Sequence, residues 1–271
     1  MTEVGSEKKG SVPFFKVGDV EVHVEGTGPD TIVMIHGFPD TYRLWDGTVA
    51  ALKDRYRCAR FTLPGFVGPV RREGYPLEEI VGLIKAIVEK VSPGRRIILL
   101  CHDWGCMFAY QFYARHPDMV ARVVGVDIGD PRSLRREIGT RGMVMLITYQ
   151  WILALAWKVG GRIGDAITRW MRGRMRCPSD PAPVSWQMTW PYYMTWFGGY
   201  RGQIRAFQPT CPMLFVYAKK KPFMFHAPSW IAGLKSKPGN EVHEFDTGHW
   251  IMLSQAERFN QLVRDWLGRT A

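Results

Sequence analysis

The chain's 271 residues, 46% of them hydrophobic, suffice for one large buried core, and an α/β chain of this length routinely forms a single domain with room for an insertion. A net charge of +11 would suit a polyanionic partner. The cations, however, sit beside apolar stretches, as Arg132, Arg135, Arg136 and Arg141, then Arg162, Arg169, Arg172, Arg174 and Arg176, which reads as solvated helical faces with no nucleic-acid partner.

In chain order, residues 1–11 are polar and lack the apolar stretch of a secretory signal. Residues 31–35, 57–63, 96–101 and 122–128 read as buried strands, and 44–52, 77–91 and 105–115 have helical spacing, with turns at Pro64-Gly65 and Pro93-Gly94. This alternation predicts β-α-β units wound into a mostly parallel, doubly wound sheet. From 131 to 210 the pattern becomes helical and tryptophan-rich, broken at 178–183, and predicts a helical cap inserted into a core made of 1–130 and 211–271. The greasiest stretch, 142–157, is shorter than the roughly 20 residues that span a bilayer, so it reads as a buried or lid helix and no integral membrane segment is expected. Strands at 212–217 and 242–245 and a closing helix at 256–267 complete the core. The cap would lie over the carboxyl ends of the strands, where open α/β sheets bind ligands. Five cysteines with no C-x-x-C pair indicate neither a disulfide framework nor a zinc site, and fit a reducing, cytoplasmic setting.

The stretch Ile97-Ile98-Leu99-Leu100-Cys101-His102-Asp103-Trp104-Gly105-Cys106 runs a buried strand straight into a helix, in the form small-x-nucleophile-x-small. A nucleophile elbow turns so sharply that its neighbours must be small. Its centre is Asp103. A carboxylate attacking an ester would give an anhydride, but at an sp3 carbon bearing a leaving group it gives an alkyl ester that water can open. The plainer reading of Asp103 is a helix N-cap.

His102-Asp103-Trp104-Gly105 resembles the nucleophile motif of epoxide hydrolases and haloalkane dehalogenases, α/β-hydrolases with an aspartate nucleophile, and His36-Gly37-Phe38-Pro39-Asp40 resembles their oxyanion-hole motif. The resemblance implies an α/β-hydrolase fold and an oxyanion hole made by the backbone N–H groups of Phe38 and Trp104. It extends to Gly248-His249-Trp250, which makes His249 the base that activates water. His36 and His102 read as structural. The family's acid normally follows the strand at 212–217, where this chain has Tyr217-Ala218-Lys219-Lys220-Lys221-Pro222. Lys221 cannot accept a hydrogen bond from an imidazole, so the triad is either broken or relocated. Asp127, at an alternative position used by some dehalogenases, is the first replacement and Asp130 the second; both also fit turn or cap residues.

Opening an epoxide leaves an alkoxide that needs a proton. Tyr149-Gln150 and Trp190-Pro191-Tyr192-Tyr193 resemble the two tyrosine segments of soluble epoxide hydrolases, which implies Tyr149 and Tyr193 as proton donors, with Tyr192 the alternative. Phe38 favours epoxide hydrolysis over dehalogenation, because many dehalogenases carry asparagine at that position; the relocated acid points the other way. Lys221 raises a third possibility, a ligand-binding homologue with a degraded triad. Trp151, Trp157, Trp186, Trp190, Trp196 and Phe197 crowd the cap and suggest a small apolar organic substrate. The chemistry requires no metal and no organic cofactor, and a homo-oligomer is compatible with the sequence.

Overall fold

The computed structural model describes residues 12–270; the polar start, read above as lacking a secretory signal, lies outside the described residues. The strands are β1 (Phe14–Val17), β2 (Val20–Glu25), β3 (Asp30–Ile35), β4 (Tyr56–Phe61), β5 (Ile97–His102), β6 (Val120–Val126), β7 (Met213–Ala218) and β8 (Glu241–Phe245). They form one sheet in the order β1-β2-β4-β3-β5-β6-β7-β8. Every pairing from β4 to β8 is parallel, and β1 and β2 make an antiparallel edge. The helices are α1 (Asp46–Leu52), α2 (Leu77–Val91), α3 (Trp104–Tyr113), α4 (Pro131–Glu137), α5 (Thr140–Val159), α6 (Gly161–Arg174), α7 (Trp190–Trp196), α8 (Tyr200–Gln203), α9 (Pro228–Lys235), α10 (Ile251–Ser254) and α11 (Ala256–Arg269).

The central strands are apolar on both faces because helices cover both. The two-residue period of a strand divides their side chains. Val33, Ile35, Leu99, Cys101 and Val123 join α2 and α3 in one core, whereas Ile32, Met34, Ile98, Leu100 and Val124 join α1 and α11 in the other. Helix α2 buries Leu77, Ile80, Val81, Ile84, Ile87, Val88 and Val91, the three-and-four spacing of a single helical face.

Two elements depart from the expected pattern. The β1–β2 hairpin is absent from the reading above, since its strands are short and half polar; the two-residue Gly18-Asp19 turn with Gly18 at φ 57° was its available signal. Helix α5 is longer than the stretch 142–157. Its 20 residues, which contain an 18-residue window of mean hydropathy 1.4, reach the length of a membrane span, which corrects the argument from length. It is also not a buried helix, for only 22% of its apolar window is buried. Helices α4 to α8 form the helical cap region between β6 and β7.

Candidate active site

The site begins where β5 gives way to α3. Asp103 has φ 53° and ψ −123°, a region that non-glycine residues occupy at a cost of about 1–3 kcal/mol. Crowding explains its small neighbours: a Cβ on Gly105 would lie 2.1 Å from the Ile35 carbonyl oxygen, and one on Gly37 would lie 2.3 Å from Asp103 Oδ1. The Asp103 side chain makes no capping hydrogen bond to α3, which removes the N-cap reading. Instead the Phe38 N–H donates to Asp103 Oδ1 at 2.7 Å, and the Trp104 N–H also serves the carboxylate. Both expected oxyanion donors thus converge on the same group. Buried His36 braces this loop: its Nε2 accepts from the Leu63 N–H at 2.9 Å, and its Nδ1–H donates to the Gly37 carbonyl at 2.9 Å.

His249 comes from the loop between β8 and α10, with its Nε2 3.4 Å from Asp103 Oδ2. Its Nδ1 is hydrogen-bonded to Asp127 Oδ2. Asp127 follows β6 at φ 71° and is completely buried. Its other oxygen, Oδ1, accepts from the Ala218 N–H at 2.8 Å and from Lys221 Nζ at 2.5 Å. Lys221, the residue that breaks the sequence pattern, is therefore the counter-ion of the carboxylate that faces the imidazole. Asp130 lies elsewhere in the network: Oδ2 accepts from the Ser133 N–H and hydroxyl, and Oδ1 from the Phe207 N–H. It caps α4 and ties down the end of the cap, so the second choice of acid is corrected. His102 is structural, with Nε2–H donating to the His249 carbonyl at 3.1 Å.

Burial alone would lower the His249 pKa, but the Asp127 and Asp103 carboxylates overcome it and raise it to about 9. Burial would raise Asp127, yet the Lys221 and His249 charges and the Ala218 N–H hold it well below the usual carboxylate range. Asp103 is likewise held down against its burial by the hydrogen bond and charge of His249. The resting charges alternate as Lys221⁺, Asp127⁻, His249⁺, Asp103⁻.

Across from Asp103, the buried Tyr192 ring meets Phe38 and Trp104 edge-on, with centroids 5.3 and 5.1 Å apart, and Tyr149 at 5.9 Å. Burial, then the Asp103 charge, raises both tyrosines far above the ordinary phenol value, so both keep their protons. Tyr193 is turned away, packing on Trp157 and Phe197 at 6.2 and 5.3 Å. Of the three candidate tyrosines, Tyr149 and the alternative, Tyr192, thus lie on the Asp103 side and Tyr193 does not, because neighbours on α7 point about 100° apart.

A cavity of about 640 Å³ opens on Asp103 and Trp104 and is lined by Met107, Ile128, Leu146 and Tyr149. Of the cap aromatics expected around a substrate, Trp196 lines it; Trp157 and Trp190 are core, and Trp151 is exposed. Arg132, Arg135 and Arg136 also line it, besides being solvated. A role the sequence reading missed belongs to Asp40. Its buried carboxylate accepts from the Ser179 hydroxyl and, at 2.9 Å, from Trp250 Nε1, latching the cap break to the segment bearing His249; burial pushes it up to about 6. Its place in the His36–Asp40 motif was the only hint.

The profile of the alpha/beta hydrolase family matches residues 32–262. Epoxide hydrolase 1 of Caenorhabditis elegans is 29% identical over 133 residues, covering 47% of this chain and 33% of that protein. Epoxide hydrolase 3 of Xenopus tropicalis is 22% identical over 263 residues, covering 87% of this chain and 71% of that protein. The chain thus spans about a third of the length of the nematode relative. The crystal structure of a Bacillus megaterium epoxide hydrolase in complex with an inhibitor superposes with a TM-score of 0.72 at 18% identity, over 94% of this chain and all of that one (100%), a likeness of fold.

Proposed function

The chain belongs to the alpha/beta hydrolase family, and from that premise we propose that it hydrolyses epoxides to diols through an ester on Asp103. The observation that carries this reading is the pair of protonated tyrosines, Tyr149 and Tyr192, facing a carboxylate that already sits between two N–H donors. Asp103 attacks an epoxide carbon, the C–O bond breaks, and the oxygen takes a proton from a tyrosine that solvent later restores. Ester formation erases the Asp103 charge, one of the two that raise His249, so the imidazole gives up its proton more readily just when a base is needed. Neutral His249, oriented by Asp127, then takes a proton from water as that water attacks the Asp103 carbonyl carbon. The N–H groups of Phe38 and Trp104 hold the resulting oxyanion. Collapse expels the alkoxide, which takes the proton from His249 and leaves as the diol.

The apolar part of the cavity lining, with Trp104, Met107, Ile128 and Leu146, supports a small apolar epoxide as substrate. Two features favour epoxide opening over halide departure: Phe38 offers no side-chain N–H, and the Trp104 indole is engaged with Tyr192. The placement of the acid after β6 is what keeps dehalogenation as the second reading. Four cysteines are buried and the fifth partly so, and all five are free, which supports a reducing, cytoplasmic setting.

The test is the intact mass and peptide map of His249→Gln after incubation with separate panels of epoxides and haloalkanes. An adduct on the Asp103 peptide that retains the whole epoxide mass is the expected result. An adduct equal to the alkyl group without halide would instead establish dehalogenation, and no adduct from either panel would favour the binding-protein reading. With an accepted epoxide, Tyr149→Phe and Tyr192→Phe should each lower kcat about tenfold, and the double variant by about 10²–10⁴-fold. Tyr193→Phe should stay close to the parent; a loss as large as that of Tyr192→Phe would reverse the assignment.

A further inference from the structure

We propose that the outer face of the cap docks on an anionic phospholipid surface. On α5, Val144, Ile147, Trp151, Leu155 and Val159 are exposed, from 36% for Ile147 to 58% for Val144. Their spacing of three and four residues puts them on one stripe, about 22 Å long at the helical rise. Phe197, itself 49% exposed, extends the stripe sideways, with its ring 5.4 Å from Trp151. Helix α6 adds exposed Ile163 and Trp170, two turns apart. Isolated surface apolar residues need no explanation, but a contiguous run of this size marks an interaction face.

Charge identifies the partner. Residues 131–210 carry 12 of the 36 Lys and Arg but only 3 of the 25 Asp and Glu, so nearly all of the chain's excess positive charge lies on the cap. Arg141 stands at one end of the stripe and Lys158 and Arg162 at the other, with Arg169 and Arg174 further along α6, all exposed. Among the described residues, no cap cation takes part in an ion pair. An apolar helical stripe flanked by unpaired cations matches the acyl and headgroup layers of an anionic leaflet. A nucleic acid would answer the charge but leave the stripe in water. A second copy would bring two strongly positive faces together. Helix α5 lies on such a surface rather than crossing it, because Leu153, Ala154, Ala156 and Trp157 are buried against the fold. Ile147 belongs to both the stripe and the cavity lining, so docking turns the cavity mouth toward the lipid, where apolar molecules concentrate.

The experiment is co-sedimentation of the full chain with phosphatidylcholine vesicles, with and without about 30% phosphatidylserine, at low and high salt. Binding at least tenfold tighter to the anionic vesicles, weakened by salt, is expected. Trp151→Ser with Leu155→Ser should lower it a further tenfold or more while leaving the circular dichroism unchanged. Lys158→Gln with Arg162→Gln, which leaves the apolar stripe intact, should lower the preference for anionic vesicles. The proposal falls if the parent protein ignores anionic vesicles, or if single-stranded RNA competes them off while the serine variant binds as before. It also falls if the parent forms a concentration-dependent dimer that the serine variant abolishes.

Discussion

Asp103→Asn is expected to lower turnover of an accepted epoxide by on the order of 10⁴-fold or more, the size of loss that follows removal of a covalent nucleophile. The amide keeps the shape of the carboxylate and leaves an oxygen for the Phe38 N–H, so the cavity should still take an apolar ligand. What disappears is the attacking oxygen. The same residue gives a stability test. Asp103 holds a half-buried carboxylate on a backbone at φ 53° and returns no helix-capping bond. Asp103→Gly relieves strain of about 1–3 kcal/mol, more than the added freedom of glycine in the unfolded chain costs. It should therefore be inactive and, above about pH 9, where His249 has lost the charge that Asp103 partners, melt no lower than the parent. A glycine variant that melts well below the parent at that pH would make Asp103 a structural residue, and an asparagine variant within tenfold of parental turnover would remove it from the chemistry.

Asp127→Asn should lower kcat by about 10⁴-fold, because an amide opposite Nδ1 no longer fixes the imidazole tautomer or stabilises its charged form. It should also cost about 3–5 kcal/mol of stability, since the buried Lys221 ammonium loses its counter-ion. Asp127→Asn with Lys221→Met, which empties the site of both charges, should recover much of that stability and none of the turnover. This split separates a positioning acid from a merely structural ion pair. The pH dependence follows from the signs. His249 rises from 6.5 to about 9 in the fold, so its contribution is complete below about pH 6.5 and is lost as pH climbs through about 9. Asp127, held below its ordinary 3.8, contributes above that value and loses its contribution as pH falls further. Urea melts across this range should show the alkaline decline shrinking in Asp127→Asn. An unchanged decline would mean that Asp127 does not set the charge on His249.

The elbow at Asp103 and the place of His249 after the last strand were legible because their signals are local. Strand, Asp103 and helix fall within ten consecutive residues, and the demand for small side chains beside the elbow is written at Cys101 and Gly105. The central strands were equally plain, since burial on both faces demands uninterrupted apolar runs, and their ends matched to within a residue or two. The β1–β2 edge was not, because one of its faces is wet and polar residues dilute the pattern.

By itself the sequence determined the β-α-β order, the cap insertion, the elbow at Asp103 and the histidine that follows the last strand, all set by covalent neighbours and short-range periodicity. Only the tertiary structure decided between Asp127 and Asp130, three residues apart, because that choice depends on which carboxylate the ends of β6 and β7 turn toward His249. It likewise placed Tyr192 rather than Tyr193 against Phe38 and Trp104, a matter of helix rotation on α7, and made Lys221 the counter-ion of Asp127. Each of these depends on groups distant along the chain meeting in space, and hydrogen-bond and charge compensation in a buried site takes effect only once they meet.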